Sequence, residues 1–206
     1  FDSESKEDSR LERLGKIYFR NQSASGSVNH RLRFDRTSNQ ANDTSNVTTE
    51  VVSYRLQTAL DNSTIDSSES LLSWLAERRV DKDAGQDDDR ENNSVAMEYQ
   101  GWMSEVLSVQ AGIRFDDNTL FEDAATWNLS GSYFLTQGYR LHASVGEAVI
   151  NPTFSEFGGN PELAPEKNRG FDAGVEVPLK SVNGSLNVTY FEEILTDEIA
   201  YDLSTQ

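Results

Sequence analysis

Apolar residues occupy every second position over long stretches of this chain, and that period of two limits what it can fold into more than any other feature. In the segment SVNHRLRFD, Val28, His30, Leu32 and Phe34 share one parity, while Asn29, Arg31, Arg33 and Asp35 take the other. Successive side chains of an extended backbone point to opposite faces, so such a segment is a strand with one apolar side. The pattern returns in Val52/Tyr54/Leu56, Val95/Met97/Tyr99, Leu107/Val109/Ala111/Ile113/Phe115 and Trp127/Leu129/Gly131/Tyr133/Leu135. It continues in Tyr139/Leu141/Ala143/Val145, Phe171/Ala173/Val175/Val177 and Leu186/Val188/Tyr190. With weaker runs at 16–20 and 71–78, these predict about ten strands, and no stretch between them carries a helical period. The expected fold class is all-β.

The connections narrow the architecture. Segments 101–104, 136–138 and 179–184 read as short turns, whereas 37–49, 80–92 and 148–169 read as long polar loops. Short turns on one rim and long loops on the other fit an antiparallel up-and-down meander, the arrangement of outer-membrane barrels. Greek-key crossings of a sandwich would break that alternation.

Only 36% of the 206 residues are hydrophobic, and mean hydropathy is −0.62, so water must reach much of the surface. No run approaches the roughly 18 apolar residues of a membrane helix, and the first ten residues, FDSESKEDSR, are too acidic and polar for a signal peptide. A helical membrane protein is excluded, but a β-barrel is not. In a barrel the alternate residues line a wet lumen, where Asn29, Arg31, Arg33, Arg55, Gln57, Gln110, Arg114, Asn128, Arg140 and His142 need no dry partner. Tyr54, Tyr99, Trp127, Tyr133, Tyr139 and Tyr190 fall on the apolar parity near expected strand ends, as the aromatic girdle of such a barrel would.

A soluble all-β binding or adhesion module, a β-sandwich of a secreted or surface protein, is the alternative. It would share the polar face and give meaning to the Asn-x-Ser/Thr sequons at Asn21, Asn42, Asn46, Asn62, Asn92, Asn128, Asn183 and Asn187. Asn128 and Asn187 lie inside expected strands, a poor place for a glycan. The chain has no cysteine, hence no disulfide framework and no thiolate metal site. Its formal charge of −17 opposes nucleic-acid binding and favours cationic ligands or divalent ions.

Candidate chemistry is sparse. The acidic loop 81–91, DKDAGQDDDRE, sets Asp83, Asp87, Asp88 and Asp89 close together, without the spacing of an EF-hand. The pairs Asp116-Asp117 and Glu122-Asp123 read as hydrated hairpin tips. Glu192 and Glu193 are adjacent on a strand and so face opposite ways, which prevents them from flanking one bond. His30 and His142 stand without a nucleophile or metal-ligand constellation. The chain is therefore read as no enzyme, with no cofactor and no metal site.

From about Ala111 to Asp202 a succession of short motifs adds a family resemblance. Arg-Phe-Asp at 114–116 is followed by Thr-Trp at 126–127, Gly-Tyr-Arg at 138–140 and PTFSEF at 152–157. GNPELAPEK at 159–167, FDAGVE at 171–176 and YFEEILTDEIAYD at 190–202 complete the series. In this order and spacing the motifs resemble the C-terminal barrel of TonB-dependent outer-membrane receptors, with the vitamin B12 and siderophore branch most similar. Two positions depart from the family's pattern: the 147–151 lead, EAVIN, and Glu193, where asparagine is usual. Both bear on ligand identity rather than fold.

The resemblance implies a segment of a receptor for energy-coupled uptake of a ferric siderophore or a corrinoid, located in the bacterial outer membrane. Its partners would be outer-membrane lipid, the ligand, and the TonB complex acting through a plug domain. Residues 1–206 would form a single partial barrel of about ten strands within one of about 22, with the plug and remaining strands outside it. The resemblance places ligand contacts on loops 80–92, 116–125 and 148–169, with Phe121, Phe154 and Phe157 offering apolar surface and Asp87, Asp88 and Asp117 charge. Within the last loop, Pro161 and Pro165 predict a stiff extended descent into the next strand, and Gly158 and Gly159 a sharp bend before it.

Overall fold

The computed structural model describes residues 10–41, 45–84 and 89–200. Within them lie ten strands: β1 (Arg10–Gln22), β2 (Val28–Ala41), β3 (Ser45–Ala59), β4 (Ser70–Asp83), β5 (Arg90–Ser104), β6 (Leu107–Asn118), β7 (Ala124–Phe134), β8 (Arg140–Ile150), β9 (Glu166–Leu179) and β10 (Gly184–Thr196). Each is antiparallel to the next, in one sheet ordered β1 to β10 without a crossover. The expected all-β meander is the observed fold. No second sheet packs against it among the described residues, so the sandwich alternative is not the architecture.

The registers carry one parity across all ten strands. On one face, Phe19, Leu32, Tyr54, Ala76, Val95, Phe115 and Ala125 follow one another from β1 to β7. One step along the strands on the opposite face, Arg31, Arg55, Leu75, Ala96, Arg114 and Thr126 run from β2 to β7. Burial is inverted relative to a water-soluble protein. Asn29, Asp35, Ser53, Asp81 and Ser94 are buried on the polar face, whereas Ile17 and Phe19 on the apolar face are 72% and 61% exposed. An apolar face left open is stable against hydrocarbon, and a polar face folded toward itself is stable around a wet lumen.

The apolar band has a measurable height. On β6 it runs from Leu107 to Phe115, about 27 Å of strand, or about 21 Å across a bilayer at a tilt of roughly 40°. Above it the outward face turns ionic: Arg36 meets Glu50 at 3.3 Å, and Arg78 meets Glu91 at 2.8 Å.

Several sequence expectations are corrected. The stretches 37–49 and 80–92 are not mainly loops, because β2 to β5 continue as polar hairpin arms and leave connections only at 42–44 and 84–89. Periodic hydrophobicity stops where the membrane would stop, while the hydrogen-bonded ladder needs no apolar side chains and runs on. The rim of short turns also carries a long connection, 60–69, folded around the Asp61 carboxylate. That group accepts from the Ser63 hydroxyl (2.6 Å), the Ser68 hydroxyl (2.9 Å) and the Glu69 backbone N–H (2.7 Å). Tyr54 and Tyr190 sit near mid-strand rather than at strand ends, and Tyr139 precedes β8 in a turn.

One short helix, α1 (Phe154–Gly159), interrupts the all-strand reading inside the loop 151–165. It has a capping box: the Glu156 N–H donates to the Thr153 hydroxyl at 3.3 Å, and the Thr153 N–H donates to the Glu156 carboxylate at 2.8 Å. The Thr153 N–H first, and then the Thr153 hydroxyl donating to the same carboxylate at 2.8 Å, hold the Glu156 carboxyl below its ordinary titration range. Gly158 and Gly159 therefore end a helix, and the positive-φ glycines among the described residues are Gly26 and Gly138. The capping threonine is already present in the PTF motif; a six-residue helix is too short to show a period.

Candidate functional site: the lumen wall and its mouth

The polar face is a chain of hydrogen-bonded groups. At its centre Arg114 on β6 donates to Asp116 at 2.9 Å and to the Ser94 hydroxyl at 2.7 Å, and lies 3.5 Å from Glu77 on β4. Asp116 also accepts from Asn92 at 2.8 Å and from the Ser94 hydroxyl at 2.6 Å. Toward β10, Arg140 grips Glu176 at 2.9 Å, Ser144 bonds Asp172, and Asn168 bonds Glu193. Glycines make room for the larger groups. A Cβ on Gly174 would come within 2.5 Å of the His142 ring, which lies across β9 and reaches Thr189 on β10 at 3.2 Å.

The mouth is built by the loop between β8 and β9. Arg90, at the start of β5, donates to the Pro152 carbonyl at 2.7 Å, contacts the Asp81 carboxylate at 3.2 Å, and lies 4.6 Å over the ring of Phe154. Asp81 is itself held by Arg79 at 2.9 Å and by the Thr49 hydroxyl at 2.5 Å. Pro152 is fully buried and Phe154 is 8% exposed. Asn151 donates to Asn118 on β6 at 3.3 Å. The loop thus leans across the β6–β7 hairpin and is fastened to the inner wall of β4 and β5.

The residues expected to meet ligand do not form one cluster. Phe121, at the tip of the β6–β7 hairpin, and Phe157 stack edge to face with centroids 5.3 Å apart. They line a cleft with Pro161, Leu163, Glu147 and Lys167. Phe154, three residues before Phe157, turns to Arg90 instead. Asp117 pairs in register with Asn93 on the outward face, away from the lumen. Asp87 and Asp88 lie outside the described residues. The sequence reading placed Arg114 in the lumen but missed Arg90 as an anchor. The signal available was an arginine directly after an acidic loop, whose partner 62 positions later only the fold brings near.

The wall can bind and orient polar solutes; its chemistry is that of hydrogen bonds and ion pairs. Among the described residues no group of His, Cys, Asp or Glu has the geometry to hold a metal ion. His30 is occupied by the Tyr54 hydroxyl at 2.7 Å on the outward face.

Residues 4–206 match the family described as TonB dependent receptor-like, beta-barrel. Among solved structures, the siderophore receptor PirA from Pseudomonas aeruginosa aligns with a TM-score of 0.71 at 18% identity, over 90% of this chain and 39% of its own. PirA from Acinetobacter baumannii aligns at 0.73 and 14% identity, over 93% and 35%. A variant of the ferric enterobactin receptor PfeA from Pseudomonas aeruginosa, in complex with enterobactin, aligns at 0.75 and 15%, over 95% and 36%. The chain spans 39% or less of the length of these three receptors, and at such identities the likeness is one of fold. The ten-stranded meander, its inverted burial and the match along nearly its whole length have one meaning: the chain belongs to the TonB-dependent receptor β-barrel family.

Proposed function

We propose that this chain forms part of the barrel wall of an outer-membrane receptor that takes up a ferric siderophore, with energy delivered by the TonB complex. The observation that carries the reading is the pairing of an outward apolar band with a hydrogen-bonded polar inner wall. The siderophore receptors among its structural neighbours support the choice of cargo. A corrinoid is the competing cargo within the same reading. The surrounding partners are outer-membrane lipid on the apolar face and an organic chelate on the polar one; nucleic acid is disfavoured by a charge of −17. The role is binding and passage, without a bond made or broken.

Deleting the gene for the whole receptor and following growth tests this. Loss of growth on a ferric siderophore under iron limitation, with normal growth on limiting cobalamin, is the expected result. The opposite pattern assigns the corrinoid, and unchanged uptake of both classes refutes the transport reading.

A further inference from the structure

The loop between β8 and β9 crosses the rim of the wall, and its two rings fall on opposite sides. Phe154 turns inward to Arg90, whereas Phe157 meets Phe121. Phe157 and Phe121 line a cleft of about 470 Å³ together with Ala125, Glu147, Val149 and Lys167 of the sheet. Those four sheet residues share the parity of the apolar band: Ala125 lies opposite Phe115, Glu147 opposite Trp127, and Lys167 opposite Val149. The cleft therefore opens away from the lumen, just above the hydrocarbon belt.

The lining combines an apolar wall with uncompensated negative charge. Phe121, Phe157, Pro161, Leu163 and Pro165 supply the wall. The two prolines hold their φ at about −65°, and Phe157 sits in the capped turn of α1, so the wall is set before anything binds. Around it stand the carboxylates of Glu122, Asp123, Glu147, Glu162 and Asp197, with Lys167 as the one cation among the described lining residues. None of the five forms an ion pair among the described residues. On the inner wall, by contrast, Asp35, Asp81, Asp116 and Glu176 each face an arginine. Five carboxylates against one ammonium leave a formal excess of four negative charges, and a concave, partly apolar space concentrates their field.

We propose that this cleft is a binding site for an amphipathic organic cation, an ammonium or guanidinium group carried on an apolar body. The body packs against Phe121, Phe157 and Leu163, and a cleft of this volume has room for a small molecule. The cationic head reaches Glu147 on the sheet and Glu162 on the loop, whose ionised oxygens accept charge-assisted hydrogen bonds from its N–H groups. Anionic amphiphiles are opposed by the same charges. A bare metal ion is disfavoured as well, since among the described residues no group of acids has the geometry to hold one. The site lies on the far side of the wall from the path of the cargo, so it is a function beyond uptake and does not depend on what the receptor carries.

The experiment titrates the whole receptor, in nonionic detergent micelles, against a fluorinated tryptamine, read by its fluorine NMR linewidth with protein-free micelles as the blank. A fluorinated indole-acetate keeps the ring and reverses the charge; ethylamine, a cation without the apolar body, serves as a competitor. The tryptamine should bind at least about tenfold more tightly than the acetate, and ethylamine at equal concentration should not displace it. Glu147→Lys should weaken the tryptamine about tenfold or more and strengthen the acetate. Phe157→Ala should weaken the tryptamine about tenfold through lost apolar contact. Glu147 is held in the ladder of β8 with β7 and β9, so its substitution reads the cleft even where Phe157→Ala releases the loop. Absence of binding, equal binding of the two fluorinated probes, displacement by ethylamine, or unchanged tryptamine binding in Glu147→Lys each overturns the proposal. None of these results alters the test of ferric siderophore uptake, because the cleft faces away from the lumen.

Discussion

Replacing Phe154 with alanine isolates what fastens the β8–β9 loop to the wall. The ring is 8% exposed and lies under the Arg90 guanidinium. Burying a phenylalanine removes at least about 150 Å² from water, worth about 4 kcal/mol at roughly 25 cal/mol per Å². Alanine keeps part of that. The contact with the cation adds about 1 kcal/mol. The Arg90 bonds to Pro152 and Asp81 survive the substitution, so the net loss should be about 3 kcal/mol and confined to the loop. Each 1.4 kcal/mol is a factor of ten, which gives about a hundredfold rise in the population of the undocked loop. Amide hydrogen exchange in the whole receptor reads this directly. The N–H of Phe157, bonded to the Thr153 carbonyl, and that of Asn160, bonded to the Glu156 carbonyl, report the loop. The ladder between Val145 and Phe171 reports the sheet. Exchange at the first pair should accelerate about a hundredfold while the second is unchanged. Acceleration below about threefold at Phe157 and Asn160 refutes the anchoring argument, and equal acceleration in the ladder shows that the ring stabilises the barrel as a whole.

Gly101→Ala should destabilise the barrel by about 1–3 kcal/mol, because its Cβ would meet the Ser70 Cα at 2.8 Å and the Glu69 carbonyl at 2.9 Å, backbone atoms that cannot turn aside. Gly174→Ala should cost less in the same thermal melt, since the His142 ring it meets can rotate away; the reverse order refutes the distinction. Asp61 titrates below its ordinary range, chiefly through the Ser63 hydroxyl and then the Glu69 N–H. Its stabilisation of the loop 60–69 is thus present above the unfolded value near 3.9 and lost as pH falls through the lower folded value. Protection of the Glu69 amide, corrected for intrinsic rate, should hold from neutral pH to about 4 and fail in stronger acid; Asp61→Ala should lose it at neutral pH. Spin labels at Arg31, Gln110 and Arg140 should report water, and labels at Leu32, Val109 and Leu141 hydrocarbon; equal accessibility of the two sets removes the barrel reading.

The faces of the sheet were legible because a period of two is a local property. Arg31, Gln110, Arg114 and His142 all fall on the inner wall where alternation puts them. Strand ends were not legible above the membrane, since residues such as Thr37, Ser38 and Asn39 pair through their backbones without any apolar rhythm to announce it. The site was legible only in outline. Phe154 and Phe157 sit in the predicted loop, but a capped helical turn between them sends one ring to Arg90 and the other to Phe121. That separation depends on contacts 36 and more positions apart, for which sequence spacing gives no sign.

The hairpin arms that outrun the apolar band carry a further consequence. Beyond Phe34, β2 continues to Ala41, about 24 Å of strand, or roughly 18 Å of height at a tilt near 40°. This stockade is held by backbone bonds and ion pairs in water, so it opens from the tips downward while the hydrocarbon-embedded belt stays shut. Its side chains are also freed from the demands of insertion. Residues in the stockade can be exchanged without disturbing the alternation on which the belt below depends.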